Sequence, residues 1–195
     1  MTQTASDVIV VGGGAMGAAC ARELASTGRR VLILEPGGHM GQAWRAAAGM
    51  LAPQIEADAS DPLFPLALAG RDFYPALSST LLETVGIDLG LWQEGIARVA
   101  GTAAEIAELQ AKVAWQQRQG HPCHWLDPSE VAERWPWLAP TAGALCAPRD
   151  GALDPERLIG ALQMDARRLG AVMAADRAVG LRLAGGKVTG ISGAD

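Results

Sequence analysis

At 195 residues, 49% of them hydrophobic, the chain is long enough for one sizeable core, or for one domain and part of another, and it is not a disordered polymer. A net charge of −5, with only short basic pairs such as Arg29-Arg30, excludes a nucleic-acid surface, which needs clustered Lys and Arg. No uncharged apolar run reaches the ~18 residues of a membrane span, and MTQTASD lacks the basic start of a secretory signal, so a cytoplasmic protein is expected.

Residues 7–35 read as an apolar strand running into Gly12-x-Gly14-x-x-Gly17, then a helix, then a second apolar strand ending on Glu35. The spacing gives each glycine a task. Gly12 allows a tight turn, Gly14 lets backbone approach a pyrophosphate, and Gly17 lets the helix pack close to the strand. The helix N-terminus, with Ala15 and Met16 following the turn, then presents unpaired N–H groups to phosphate charge. Glu35 stands 21 residues after Gly14, where its carboxylate accepts hydrogen bonds from ribose hydroxyls and repels a 2′-phosphate. FAD or NAD is therefore favoured over NADP. Glycine is common in this chain, 24 of 195 residues, so the motif's weight comes from its setting of strand, helix and strand.

A glycine-rich connection, PGGHMGQ, leads to the small-residue stretch Ala46 to Pro53, whose short side chains bring backbone close to another group. Residues 62–85 carry apolar positions at helical intervals and predict one or two helices, and 89–100 predicts an extended segment. Thr102 with Glu105 three residues on predicts a capped helix to about Gln119. Asp127-Pro128-Ser129-Glu130 and Asp154-Pro155-Glu156-Arg157 each open a further helix, the first toward Arg134 and the second to about Leu169. From Ala171 the pattern turns to strands, with a hairpin at Gly185-Gly186. The acids at the helix starts read as caps rather than catalysts.

Cys20, Cys123 and Cys146 have no metal-finger spacing, and their odd number sets up no disulfide framework, so buried free thiols are expected. His121-Pro-Cys-His124 lacks further ligands at metal spacing, so no metal is expected. The tryptophans are scattered and read as core or interface anchors rather than base-stacking platforms. Alternation of helix and strand without internal repeats indicates an α/β or α+β fold.

With the glycine fingerprint, Glu35 and AAAGMLAPQIE in view, the chain resembles the D-amino-acid oxidase family of FAD-dependent oxidoreductases, and within it the glycine oxidase branch of thiamine (thiazole) biosynthesis. WLDPSEV, ALCAPRDGALDPERLIGAL and GAVMAADRAVGL extend the resemblance along almost the whole chain. It implies an α/β fold in which a Rossmann-like FAD-binding βαβ domain receives part of an inserted α+β substrate domain. The expected segments are 1–84 for the first part of the FAD domain, 85–150 for the start of the substrate domain, and 151–195 for a return to the FAD domain. The resemblance also implies FAD as cofactor and oxidation of a small amino acid's amine to an imine by hydride transfer to the flavin. Oxygen then regenerates the flavin with release of peroxide.

Residue by residue, the resemblance matches Gly12, Gly14, Ala15, Met16 and Gly17 to the pyrophosphate turn, Glu35 and Pro36 to the ribose, Ala48, Gly49 and Met50 to the isoalloxazine ring, and Val179 to the adenine. Where relatives carry Ser or Thr hydroxyls, this chain has Ala43-Trp44-Arg45. Arg45 either supplies a bidentate phosphate contact or is a solvated Arg beside a packed Trp. Family members are nearly twice as long, and the residues they use to clamp the substrate carboxylate fall in the half this chain lacks. No motif places Arg98, Arg134, Arg149 or Arg157 near a flavin, so no catalytic residue is assigned. The expected partners are a glycine-like amino acid and either further copies of the chain or a second chain supplying the missing half, with no nucleic acid and no membrane. A sarcosine oxidase, a D-amino-acid dehydrogenase and a non-catalytic dinucleotide-binding fragment stay open as alternatives.

Overall fold

In the computed structural model, which describes residues 5–38, 42–59 and 61–194, the elements are, in chain order, β1 (Val8–Val11), α1 (Ala15–Ser26), β2 (Val31–Leu34), a 3-10 turn at Ala43–Ala46, β3 (Met50–Leu51), α2 (Pro53–Glu56), α3 (Phe64–Val85), β4 (Ile96–Ala100), α4 (Ala103–Arg118), β5 (His124–Leu126), α5 (Pro128–Arg134), β6 (Gly143–Ala147), β7 (Gly151–Ala152), α6 (Pro155–Arg168), β8 (Val172–Ala174), β9 (Ala178–Ala184) and β10 (Lys187–Gly193). Part of the PGGHMGQ connection lies outside the described residues. Contacts group the chain into one unit of Met1–Ala48, Ser78–Gly90 and Asp154–Asp195, and another of Gly49–Leu77 and Leu91–Leu153. Residues 49–77 thus pack with 91–153, a grouping that differs from the expected division at 84 and 150.

The first unit is a parallel α/β layer. β1 pairs with β2, Val8 opposite Val31, and β2 pairs with β8, Leu32 opposite Val172, giving the order β1-β2-β8. Its core joins Ala21 and Ala25 of α1, Val31 and Ile33 of β2, and Ala166 and Ala171 from α6 and just beyond. Arg22 on α1 donates to the fully buried Asp165 on α6 at 2.6 Å. Burial pushes the Asp165 carboxyl up, but Arg168 and Arg22 outweigh it and hold the group below its ordinary value. The last two strands form the expected hairpin: Gly185 and Gly186 take φ of 57° and 75°, the left-handed pair that a tight two-residue turn requires. Val179, Leu181, Leu183 and Val188 of this ribbon are more than half exposed.

In the second unit the antiparallel order is β4-β6-β5, with α4 covering the sheet through Leu109 and Val113. β6, which reads in sequence only as a short run of small residues, is buried at every position. Both halves of the expected cap on α4 form, Glu105 N–H donating to Thr102 Oγ1 and Thr102 N–H to Glu105 Oε2. Asp127 and Glu130 cap α5 in the same way, whereas at α6 only the Asp154 side chain acts, accepting from the Glu156 and Arg157 N–H groups. Within the 62–85 segment, Phe64–Val85 is one helix that runs through Pro75.

The single-turn helix α2 is held at both ends by buried side chains. Asp150 Oδ2 accepts from the Gln54 and Ile55 N–H groups at 3.0 and 3.1 Å, while Lys112 Nζ donates to the Ile55 carbonyl at 2.9 Å. Arg71 closes the cluster by donating to Asp150 Oδ1 at 2.8 Å and Gln54 Oε1 at 2.6 Å. Burial pushes the Asp150 carboxyl up, against the pull of Arg71 and the two backbone donors.

Cys20 departs from the expectation of a buried thiol. It is exposed, because α1 turns its alanines Ala18 and Ala21 inward and Cys20 outward. Cys123 and Cys146 are free and buried as expected. Trp137 is 78% exposed and anchors no core. His121 meets the edge of Phe64, with ring centroids 5.2 Å apart. Among the described residues no cluster of ligands suits a metal.

Candidate cofactor site

The site is built where β1 ends. The chain leaves Val11 through Gly12, whose φ of +94° a residue with a side chain would rarely adopt, and enters α1 with Gly14 as N-cap. Gly14 offers no side-chain cap and the first turn holds no acid, so no side chain of α1 itself takes up the amide groups at its start. Gly17 packs against the turn so closely that a Cβ there would stand 1.9 Å from the Gly12 carbonyl oxygen. At Gly14 the nearest atom to an added Cβ is Trp44 Cδ1 at 4.0 Å. The two glycines therefore serve different needs, Gly17 the fold and Gly14 open space beside the helix start.

That space is a cavity of about 840 Å³, within the range of small-molecule sites. Gly12, Gly14, Ala15, Met16, Gly17, Glu35 and Pro36 line it together. Glu35 follows β2, and its carboxylate accepts from Gly13 N–H at 2.8 Å and Gly37 N–H at 3.1 Å. A carboxylate has about four acceptor positions, so two remain for ligand hydroxyls.

Other expected residues lie elsewhere. Arg45 stacks on Trp44 at 4.5 Å, donates to Gln42 Oε1 at 2.7 Å, and borders two smaller neighbouring cavities instead of the large one. Ala48, Gly49, Met50 and Val179 do not line the large cavity, although Ala178, beside Val179, does. Gln42, Ala43, Trp44, Ala47 and Arg177 also line it, although the sequence assigned none of them a cofactor contact. Gly13 was also passed over. A Cβ there would sit 3.1 Å from Glu35 Cβ and 3.4 Å from Gln163 Nε2, so Gly13 has less room around it than either Gly12 or Gly14. The donors at the start of α1, the space left by Gly14 and the spare acceptors of Glu35 suit a dinucleotide with a diphosphate and an unphosphorylated ribose.

The chain belongs to the DAO family of FAD-dependent oxidoreductases, whose family description matches residues 7–195. It is 41% identical over 169 residues to the glycine oxidase of Geobacillus kaustophilus, covering 86% of this chain and 45% of that protein. It is 31% identical to the bifunctional protein ThiO/ThiG of Trichormus variabilis, over 84% of this chain and 25% of that protein. Among solved structures, glycine oxidase from Bacillus cereus superposes with a TM-score of 0.88 at 33% identity, covering 96% of this chain and 51% of that one. The chain thus spans about half or less of the length of these relatives, within an α/β fold that they share.

FAD is the cofactor of this family, and the residues present fit its adenylate half: an uncapped helix start, a cradle that a Cβ at Gly14 would enter, and acceptors on Glu35. No helix is long and apolar enough to cross a membrane among the described residues.

Proposed function

We propose that this chain forms the FAD-binding part of a glycine-oxidase-like enzyme that oxidises the amine of a small amino acid to an imine, with oxygen as acceptor and peroxide as product. The observation that carries the reading is the Gly12–Gly17 turn opening on the same cavity as Glu35. When bound, FAD supplies the acceptor for the two electrons that leave the amine. The chain's own residues bind and orient: Gly14 and Ala15 offer backbone N–H groups to the diphosphate, and Glu35 accepts from ribose hydroxyls while repelling a 2′-phosphate. Met16, Gly17 and Pro36 complete the wall. The family resemblance supports roles for Ala48, Gly49 and Met50 along the flavin ring and for Val179 at the adenine. Arg45, stacked on Trp44, stands as a phosphate contact only if it leaves that stack. On this reading segments 1–84 and 151–195 serve the cofactor and 85–150 begins the substrate domain. We place the protein in the cytoplasm, working as a homo-oligomer or with a second chain.

The test is the visible spectrum of the purified chain after addition of FAD and desalting. A retained, structured flavin band supports the cofactor site, and a colourless protein overturns it for this chain alone. Bleaching by glycine in preference to sarcosine or D-alanine, with peroxide formed in air, supports the proposed substrate and acceptor. Dye reduction without peroxide points to a dehydrogenase instead.

A further inference from the structure

Gln163, on α6, belongs to no motif, and it is 150 residues from the glycine turn in sequence. Its side-chain amide Nε2 donates to the Gly13 carbonyl oxygen at 2.6 Å. Gly13 is also held on its other side, where its N–H donates to Glu35 Oε2 at 2.8 Å. Both peptide planes that meet at Gly13 are therefore tied to side chains from outside the turn.

The geometry of the peptide gives this clamp a consequence. In a planar trans peptide the C=O and N–H point in opposite directions, and the described residues contain no cis bond. Drawing the Gly13 carbonyl toward Gln163 turns the N–H of the same peptide, that of Gly14, away from α6. Gly14 lines the large cavity. Gln163 is itself well anchored: α6 begins with the Asp154 cap, and two residues past Gln163 the buried Asp165 receives Arg22 from α1 at 2.6 Å.

We infer that Gln163 is a positioning residue for the diphosphate of the bound dinucleotide, acting through Gly13 to keep the Gly14 N–H directed at the ligand. This rests on the proposed dinucleotide site. Without Gln163 the Gly13–Gly14 peptide is free to rotate, and the amide must be reoriented each time the ligand binds. The cost falls on the phosphates and not on the nucleoside.

The experiment compares ADP with adenosine by calorimetric titration of the full 195-residue chain and its Gln163→Leu and Gln163→Glu variants. Losing one oriented hydrogen bond predicts about a three- to tenfold weaker ADP affinity in Gln163→Leu. A larger loss is expected in Gln163→Glu, where a carboxylate faces the Gly13 carbonyl and brings negative charge near the phosphates. Adenosine affinity should be unchanged in Gln163→Leu, with a melting temperature lower by only a few degrees from the lost hydrogen bond. Equal ADP affinity in the parent and Gln163→Leu overturns the inference while leaving the dinucleotide site standing. Equal weakening of ADP and adenosine also overturns it, by showing a general structural effect. A parent chain that binds neither ADP nor FAD overturns the dinucleotide site, and the inference with it. Amide exchange in the ligand-free chain gives a separate reading: the Gly14 N–H should exchange differently in Gln163→Leu, and an unchanged rate counts against the clamp.

Discussion

Gly17→Ala tests whether the glycine turn is a packing requirement or only a sequence signature. A Cβ built at Gly17 stands 1.9 Å from the Gly12 carbonyl oxygen, 3.0 Å from its carbon and 3.3 Å from Val10 Cγ1. The first two neighbours are backbone, so no rotamer change relieves the contact, and the start of α1 must move away from β1 by about 1 Å. Overpacking of this kind costs about 1–3 kcal/mol, and a rigid backbone neighbour places the substitution at about 3. For a chain of this length that is a fall in melting temperature of about 6–12 °C. Gly14→Ala is the control, because its Cβ meets nothing nearer than Trp44 Cδ1 at 4.0 Å and φ at Gly14 is −68°. It should melt within a few degrees of the parent, or slightly above it because the unfolded chain is less free. Larger still, Gly14→Val should keep the fold and abolish FAD binding. Differential scanning calorimetry on the parent and the three variants decides the stabilities, and the flavin spectrum after desalting decides the binding. A Gly17→Ala chain that melts with the parent would show that the close approach at the turn is not required.

Asp150→Asn removes one of the two carboxylate partners of the buried Arg71, leaving Asp72 at 2.9 Å, and should destabilise the second unit by about 1–3 kcal/mol; adding Arg71→Gln should recover part of that loss, since an Asn–Gln pair can still meet the α2 amides, and urea titration of both variants measures it. Thiol alkylation of the native chain followed by peptide mass mapping should mark Cys20 alone, because burial, the neighbouring Cys146 and Asp150 push Cys123 up to about 11 and burial raises Cys146 as well. The hydrogen bond from Arg30 holds the Asp7 carboxyl at about 2, below its ordinary 3.8. A depressed carboxyl contributes stability above the unfolded value and loses it as pH falls through the folded one. Asp7→Asn should therefore flatten the decline in stability between about pH 4 and pH 2, and acid titrations of the two chains that superpose would discount the pair.

What could be read in sequence was what neighbours in the chain decide. VIVV, the alanine-rich helix and VLIL carry their periods openly, and Thr102 with Glu105, Asp127 with Glu130 and Asp154 each announce a helix by chemistry within four residues. β6 was hidden because Gly143, Ala144, Leu145, Cys146 and Ala147 include no β-branched residue; it is a strand because it pairs with β4 on one side and β5 on the other, and its first position is glycine because a Cβ there would come within 2.1 Å of the Trp125 indole. α2 escaped notice for a similar reason, since Asp150, 96 residues beyond Gln54, caps it. In the candidate site the turn and Glu35 declare themselves by spacing, whereas Trp44, Gln163 and Arg177 reach their places only through tertiary structure.

The parallel sheet of the first unit also sets a timetable for the growing chain. β1, α1 and β2 are complete by residue 34, but the strand that flanks β2 on its other side begins at residue 172, so 138 residues must follow before that sheet can close. At about 5–20 residues per second this is a wait of roughly 7–28 s. Every residue of the second unit, through Leu153, is made within that interval. An early strand of this chain thus waits on a late one, and for those seconds the edge of β2 that β8 will cover stays unpaired.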